Sequence, residues 1–148
     1  VIDVDKNWSE EIINSGNGKI YYDEWNEAIA MCQEKNYGHA VSNPFFEIWL
    51  LLHHYTPNEM DIGYAATDIH AYEKTDHFRI LLRELGAPLK DKKHIAASDY
   101  NVKKVKTAIS RAEQLHQNKN ELCPKYFATT VYMLLNKMME MLPKNNHT

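Results

Sequence analysis

The sequence predicts an α/β fold, with a small parallel sheet near the start of the chain and a helical remainder. Three observations support this fold class. Glycine and proline number five each in 148 residues, too few for the many tight turns of an all-β fold. Residues 1–42 read as two short hydrophobic strands separated by one amphipathic helix, the order of a β-α-β unit. From residue 43 onward, apolar residues recur mainly at helical spacing.

The composition is that of an ordinary globular domain, with 44% apolar and 25% charged residues. It excludes intrinsically disordered and fibrous proteins. Apolar runs such as Ile48–Leu52 are far shorter than the roughly 18 residues that cross a bilayer, so we expect a soluble protein without membrane contact. Cys32 and Cys123 have no paired spacing and no signal stretch precedes them, which favours reduced thiols in a cytoplasmic protein.

The first elements are two strands and the helix between them. Val1–Asp5 reads as the end of a buried strand, and because a domain rarely begins there, we expect the natural protein to extend further upstream. The turn-rich segment Asn14–Gly18 follows. A helix is predicted from Asp23 to Lys35, and a second strand at His39–Ser42. Two strands joined by one helix pair in parallel almost without exception.

The parallel arrangement has a consequence for chemistry, because both strands then end at the same edge of the sheet. Asp3 and Asp5 should face the segment that follows Ser42, at the edge where open α/β sheets bind ligands. Alternate strand residues project to the same side, so the two carboxylates form a pair of hard oxygen donors suited to Mg²⁺. The alternative is an exposed strand end that merely carries acidic residues.

A mostly apolar helix follows the second strand and extends to about residue 54. Asn43 is the predicted N-cap, with Pro44 at the first helical position. Glu47 lies early in this helix and needs a partner for its carboxylate: a lysine or arginine, the N-terminal amides of the helix, or the metal zone around Asp3 and Asp5. His53 and His54 point about 100° apart, so they cannot clasp one metal, and we expect one of them to be a core histidine.

Three further amphipathic helices are predicted, at about 68–85, 101–117 and 126–142. Their apolar stripes include Val102 and Met138 at the ends. The side chains that we expect in the core are Trp49, Leu50, Leu52, Phe78, Leu82, Ile109, Val131 and Leu135.

Charge is distributed unevenly along the chain. Residues 1–36 contain three lysines and eight acidic residues, whereas residues 90–125 contain nine basic and four acidic residues. A basic stretch of this kind can follow a phosphate backbone, although solvated helix faces look similar. The lysines concerned are Lys90, Lys92, Lys93, Lys103, Lys104 and Lys106. The chain contains no ATPase, α/β-hydrolase or zinc-protease signature.

The run from Ser42 to His53, SNPFFEIWLLLH, resembles the signature S-N-P-x-F-E-x-W-L-L-L-H of the RloB family. Two flanking features resemble the same family: the strand that ends in Asp3-x-Asp5, and the run Thr129–Leu134, which matches its T-x-V-x-x-L helix. These are prokaryotic proteins linked to abortive phage infection and often encoded near restriction-modification genes. The resemblance implies a Toprim-like fold, in which a D-x-D pair and a glutamate on an earlier strand bind Mg²⁺, with Mn²⁺ as an alternative.

The resemblance also implies a function. It suggests a Mg²⁺-dependent nuclease in phage defence, with Asp3 and Asp5 as metal ligands and Asn43 and Glu47 as further catalytic candidates. The earlier glutamate would precede Val1, so we expect this fragment to be catalytically incomplete. We expect residues 1–55 to form the partial Toprim-like core and residues 56–148 a helical extension of the same domain. The alternative is a non-catalytic adaptor that docks a partner ATPase. The oligomeric state stays open.

Overall fold

The computed structural model describes residues 2–3, 13–43, 45–62, 75–85, 100–124 and 127–141. These residues form a mixed α/β structure that is mostly helical. In chain order the elements are β1 (Ile2–Asp3), α1 (Gly18–Glu34), β2 (Val41–Asn43), α2 (Glu47–Leu52), α3 (Thr75–Glu84), α4 (Val102–Leu115), β3 (Ala128–Thr129) and α5 (Val131–Met141). No helix among them is both long and apolar enough to cross a membrane.

The sheet has the strand order β1-β2-β3. Strand β1 pairs with β2 in parallel, with Asp3 opposite Ser42, so the predicted pairing of these two strands is confirmed. Strand β3 joins the other side of β2 in the antiparallel direction, with Ser42 opposite Thr129. The described sheet is therefore mixed, and the all-parallel Toprim-like sheet that the sequence predicted is not shown by these residues.

Strand β3 lies where the sequence predicted the beginning of the last helix, so that prediction is wrong for Ala128 and Thr129. The reason is the contact with β2. The backbone N–H of Thr130 donates to the Val41 carbonyl at 2.7 Å, and the Val41 N–H donates to the Thr130 hydroxyl at 2.8 Å. These bonds hold the segment extended beside β2, so the helix begins only at Val131.

Helix α1 begins at Gly18, five residues before the predicted start at Asp23. Its N-terminal side follows a turn in which Gly16 has a φ of +53°, a backbone conformation that glycine adopts without strain. The helix ends at Glu34, Asn36 after it has a φ of 55°, and the Tyr37 N–H donates to the Cys32 carbonyl at 2.7 Å. A left-handed residue just after the last turn is a common way to end a helix.

Helix α2 is shorter than predicted and begins at Glu47, because Asn43 belongs to β2. Asn43 pairs with Ala128 in the sheet, and the N-cap position of α2 is taken by Phe46, which makes no side-chain capping bond. The predicted N-cap role of Asn43 is therefore wrong. Pro44 lies outside the described residues.

The hydrophobic core is built around α2, which packs against β2, α3 and α4. Of the side chains predicted for the core, Leu50 and Leu135 are half-buried and the others are buried. The predicted apolar stripes of the helices are wrong at their ends, since Val102 is 73% exposed and Met138 is 53% exposed. Helix α4 otherwise matches its prediction, and Asn101 caps it by accepting a hydrogen bond from the Lys104 N–H at 3.1 Å.

Candidate functional site

The candidate metal ligand Asp3 lies at the end of β1, where its side chain is exposed. Its partner in the neighbouring strand is Ser42. Paired residues of a regular parallel ladder project to the same face, so Ser42, and not Asn43, shares the face of Asp3. The second predicted ligand, Asp5, lies outside the described residues, and the metal role of the Asp3–Asp5 pair stays a prediction.

Asn43 is a buried side chain with a structural hydrogen bond. Its Nδ2 donates to the Pro124 carbonyl at 2.7 Å, and only 1% of the residue is exposed. The bond ties the end of β2 to the segment that leads toward β3. A buried amide that lost this acceptor would cost free energy, so Asn43 stabilises the sheet edge whatever its part in chemistry.

Glu47 is the first residue of α2 and is half-buried. Helix α2 follows β2 directly along the chain and packs against it, and β2 is the strand that pairs with β1. Asp3 ends β1 and Asn43 ends β2, the strand that pairs with it, whereas the approach of the Glu47 carboxylate to this edge stays a prediction. Among the described residues, no three histidine, cysteine, aspartate or glutamate side chains converge to form a metal site.

The centre of the sheet contains a pair of buried hydroxyls that sequence reasoning missed. The Oγ of Ser42 and the Oγ1 of Thr129 lie 2.9 Å apart, and both residues are fully buried. The sequence predicts a helix at Thr129, and no local pattern indicates this contact. One hydroxyl donates to the other, which lowers the cost of burying two polar groups between strands.

A shallow basic groove runs along the exposed side of α4, with a volume of about 560 Å³. It is lined by Thr56, Lys103, Lys106, Thr107, Ser110, Arg111 and Gln114, and we call it the α4 groove. Apart from Thr56, the lining side chains form two rows along α4, one that starts at Lys103 and one that starts at Lys106. Within each row the residues follow one another at intervals of four. Lys103 and Lys106 are exposed, whereas Lys104 is half-buried and does not line the groove. The predicted lysines Lys90, Lys92 and Lys93 lie outside the described residues.

Arg111 joins this groove to the core. Its Nη1 donates to the Leu52 carbonyl at 2.9 Å, at the last residue of α2. The carbonyls at a helix C-terminus have no partner within the helix, and a cation there also interacts favourably with the helix dipole. The Thr56 backbone N–H and hydroxyl, and to a smaller degree the charge of Arg111, lower the pKa of Glu59.

Comparison with known proteins gives one family. Residues 1–138 match the family model described as RloB, RloB-like protein. The chain belongs to the RloB-like family. The match includes every described element up to most of α5, and therefore both the sheet edge and the α4 groove. No curated protein and no solved structure gave a significant match.

In this RloB-like chain the two adjacent histidines have structural surroundings. His53 is buried, and its Nδ1 lies 2.9 Å from the Trp49 carbonyl, which confirms the predicted core histidine. Burial lowers the pKa of His53. The Tyr100 ring packs edge-on against both His53 and His54, at centroid distances of 4.8 Å and 5.8 Å. Tyr100 therefore helps to join α2 to the start of α4.

The RloB-like chain also contains groove residues that the sequence reasoning did not select. Thr107 and Arg111 follow Lys103 at intervals of four, and Ser110 follows Lys106 at the same interval. Side chains four residues apart lie on one face of a helix, so this spacing was a usable signal. Charge alone identified the lysines and left out the hydroxyls and the arginine.

Proposed function

We propose that this RloB-like protein binds nucleic acid and that the intact protein hydrolyses phosphodiester bonds with Mg²⁺ in phage defence. The observation that carries the proposal is the parallel pairing of β1 with β2, with Asp3 opposite Ser42. Open α/β sheets bind their ligands at the carboxyl ends of parallel strands. The same pairing supports a Toprim-like core, of which β1, α1 and β2 would be one β-α-β unit.

The donor set at this edge suits a hard divalent cation. Asp3 provides an exposed carboxylate there, and Asp5 would project to the same side of an extended strand. Oxygen ligands are those that Mg²⁺ and Mn²⁺ prefer, and one or two carboxylates with phosphate oxygens and water complete a Mg²⁺ shell. A metal bound there would polarise the phosphate and orient the attacking water.

The α4 groove supplies the second part of the proposal, which is affinity for a phosphate backbone. Lys103 and Lys106 are exposed cations, and Ser110 adds a hydroxyl to the same groove. Such contacts neutralise phosphates and position the strand without reading its sequence. Helix α4 packs against α2 and β3, so the groove and the sheet belong to one core.

The test of catalysis is the double variant Asp3→Asn with Asp5→Asn in the intact protein. We expect it to lose Mg²⁺-dependent cleavage of nucleic acid and to keep nearly all binding, because the carboxylates act in the transition state and contribute little affinity. The matched control is Asp23→Asn with Glu24→Gln, two exposed acidic residues of α1. Wild-type cleavage or phage protection by the first variant would refute the proposal.

A second candidate function is the adaptor, a non-catalytic protein that docks a partner ATPase. One observation favours it: the C-terminal end of α5 exposes Met138, Met139 and Met141, with 53%, 44% and 75% of each residue accessible. Flexible methionine surfaces are common in protein recognition. If the intact protein neither binds Mg²⁺ nor cleaves nucleic acid, and Met138→Gln with Met141→Gln abolishes phage protection, the adaptor is the better description.

A further inference from the structure

A second cavity lies at the other end of β2, away from the edge that carries Asp3. It has a volume of about 270 Å³ and is formed between the end of α1, the segment before β2, and α5. We call it the α1–α5 pocket. Its polar lining is Gln33, Tyr37, His39, Thr130 and Lys137, and its apolar lining includes Leu122, Met133 and Leu134. Thr130 is hydrogen-bonded to Val41 at the start of β2, which fixes one wall to the sheet.

His39 lines this pocket and contains an unsatisfied polar atom. Its Nδ1 is buried and has no hydrogen-bond partner among the described residues. Buried polar atoms in folded proteins are nearly always paired, and each exception calls for an explanation, such as a ligand or water that completes the bond. Because His39 itself lines the pocket, a turn of its ring would let a molecule bound there supply the missing partner.

Lys137 gives the pocket a positive charge in a defined position. Its Nζ donates to the Asn36 side-chain oxygen at 2.7 Å, and Asn36 lies in the left-handed turn that ends α1. The ammonium group is thus oriented beside the pocket, although it is exposed. Among the described residues that line the pocket, no carboxylate offsets this charge. A pocket with this charge favours an anion.

The remaining walls of the pocket suit a flat, partly apolar ligand. Tyr37 is 62% exposed and offers its ring at the rim, while Met133 and Leu134 form part of the apolar wall. The Gly38 backbone packs closely against this wall, since a Cβ there would lie 2.8 Å from the Leu134 Cδ1. Ligand pockets typically combine such apolar walls with a few polar groups that fix orientation.

We propose that the α1–α5 pocket binds a small organic anion that carries an aromatic ring. The acidic group pairs with the Lys137 ammonium and hydrogen-bonds to the His39 Nδ1–H. The ring lies against Met133 and Leu134 and contacts Tyr37. Nucleotides and aromatic carboxylates share this chemistry. The site is separate from the sheet edge and from the α4 groove, and it does not depend on the proposed nuclease activity.

The test is calorimetric titration of the intact protein with three probes at constant ionic strength: AMP, benzoate and inorganic phosphate. We expect AMP or benzoate to bind at least tenfold more tightly than phosphate. Lys137→Gln and His39→Phe should each weaken that binding about tenfold, the effect of losing one charge-assisted hydrogen bond. Lys119→Gln removes an exposed lysine outside the pocket and should leave affinity unchanged.

His39→Phe also separates ligand binding from a purely structural role. It removes an unsatisfied buried nitrogen, so the ligand-free protein should unfold at the same temperature or a higher one. Should the variant fold poorly, the wild-type His39 ring resonances provide a second measurement, and they should shift when AMP or benzoate is added. The proposal is overturned if neither ring-bearing anion binds, if phosphate binds equally well, or if Lys137→Gln keeps wild-type affinity.

Discussion

The His116 imidazole accepts a hydrogen bond from the Tyr132 hydroxyl, with 3.1 Å between Nδ1 and the phenolic oxygen. The other ring nitrogen, Nε2, lies 2.9 Å from the Glu121 carbonyl and must donate to it. In the neutral ring Nδ1 is therefore the acceptor, whereas a protonated ring would donate at both nitrogens. Burial lowers the pKa of His116, in agreement with this arrangement. The hydrogen bond between His116 and Tyr132 connects the end of α4 to α5.

The first prediction is that stability falls in mildly acidic solution. The pKa of His116 and that of His53 are lowered from 6.5 in the folded chain, in both cases first by burial. Between the folded pKa and 6.5 the unfolded chain binds more protons, so the free energy of unfolding decreases as the pH falls below about 6.5. Each histidine contributes a slope of at most about 1.4 kcal/mol per pH unit. Urea unfolding at several pH values between 7.5 and 5.5 measures this slope.

The variant His116→Gln provides the control for this pH dependence. Glutamine cannot titrate, so the slope should become shallower, with the contribution of His53 retained. At pH 7.5 the variant should lose about 1–3 kcal/mol, because the Tyr132 hydroxyl and the Glu121 carbonyl lose well-placed partners. Identical slopes for the variant and the wild type would show that His116 does not titrate in this range.

The second prediction concerns the α4 groove and nucleic acid. Lys103→Gln with Lys106→Gln should weaken binding for all sequences and reduce the log-log salt slope by about one for each lost phosphate contact. Lys104→Gln is the internal control, since this half-buried lysine does not line the groove, and its effect should be smaller. Filter binding at several salt concentrations measures both. An unchanged slope in the double variant would place the phosphate contacts elsewhere.

The third prediction separates structure from chemistry at Asn43. Replacing it with alanine leaves the buried Pro124 carbonyl without its donor, so the unfolding free energy should fall by about 1–3 kcal/mol. Asn43→Asp should be at least as destabilising, because a carboxylate cannot donate to that carbonyl. Thermal unfolding of both variants must therefore accompany any activity assay. If Asn43→Ala keeps wild-type stability, the hydrogen bond to Pro124 contributes nothing to the fold.

The fourth prediction tests the N-cap of α4. Asn101 accepts a hydrogen bond from the Lys104 N–H, one of the donors at the helix start that have no partner within the helix. Asn101→Ala should lower the unfolding free energy by about 1 kcal/mol, whereas Asn101→Asp should keep the cap. Chemical denaturation of the two variants tests this directly. Equal losses in both would indicate that the cap bond is not the source of the effect.

The sequence predicted the β1–β2 pairing and helix α4 because local patterns determine them. Short hydrophobic runs separated by a helix imply a parallel pair, and Asn101 followed by an amphipathic stripe indicates the start of a helix. Strand β3 could not be predicted in this way. It is only two residues long, and the neighbouring Thr130 is held by Val41, which lies 89 positions away in the sequence. The local sequence of a segment does not reveal such a distant partner.

The candidate site shows the same division between local and distant information. Charge counting identified Lys103 and Lys106, and both line the α4 groove. The position of the Arg111 guanidinium depends on its hydrogen bond to the Leu52 carbonyl, which lies at the end of another helix, 59 positions away. Asn43 looked like a helix cap because it precedes Pro44, yet its backbone pairs in the sheet instead. Residue type suggested polar chemistry at these positions, and tertiary contacts decided which partner each side chain has.

The last prediction is a double-mutant cycle at Gly38 and Leu134. A Cβ on residue 38 would lie 2.8 Å from the Leu134 Cδ1, closer than van der Waals contact permits. Because that atom is the end of a flexible side chain, it can move, and Gly38→Ala should cost about 1 kcal/mol, at the low end for overpacking. Leu134→Ala removes the obstructing methyl groups and has its own cost, since this side chain packs against the core.

In the double variant the measured loss of unfolding free energy should be smaller than the sum of the two single losses, with a coupling of at least about 0.5 kcal/mol. Denaturation curves of the four proteins measure the coupling. Strict additivity would show that Leu134 does not limit the space at Gly38.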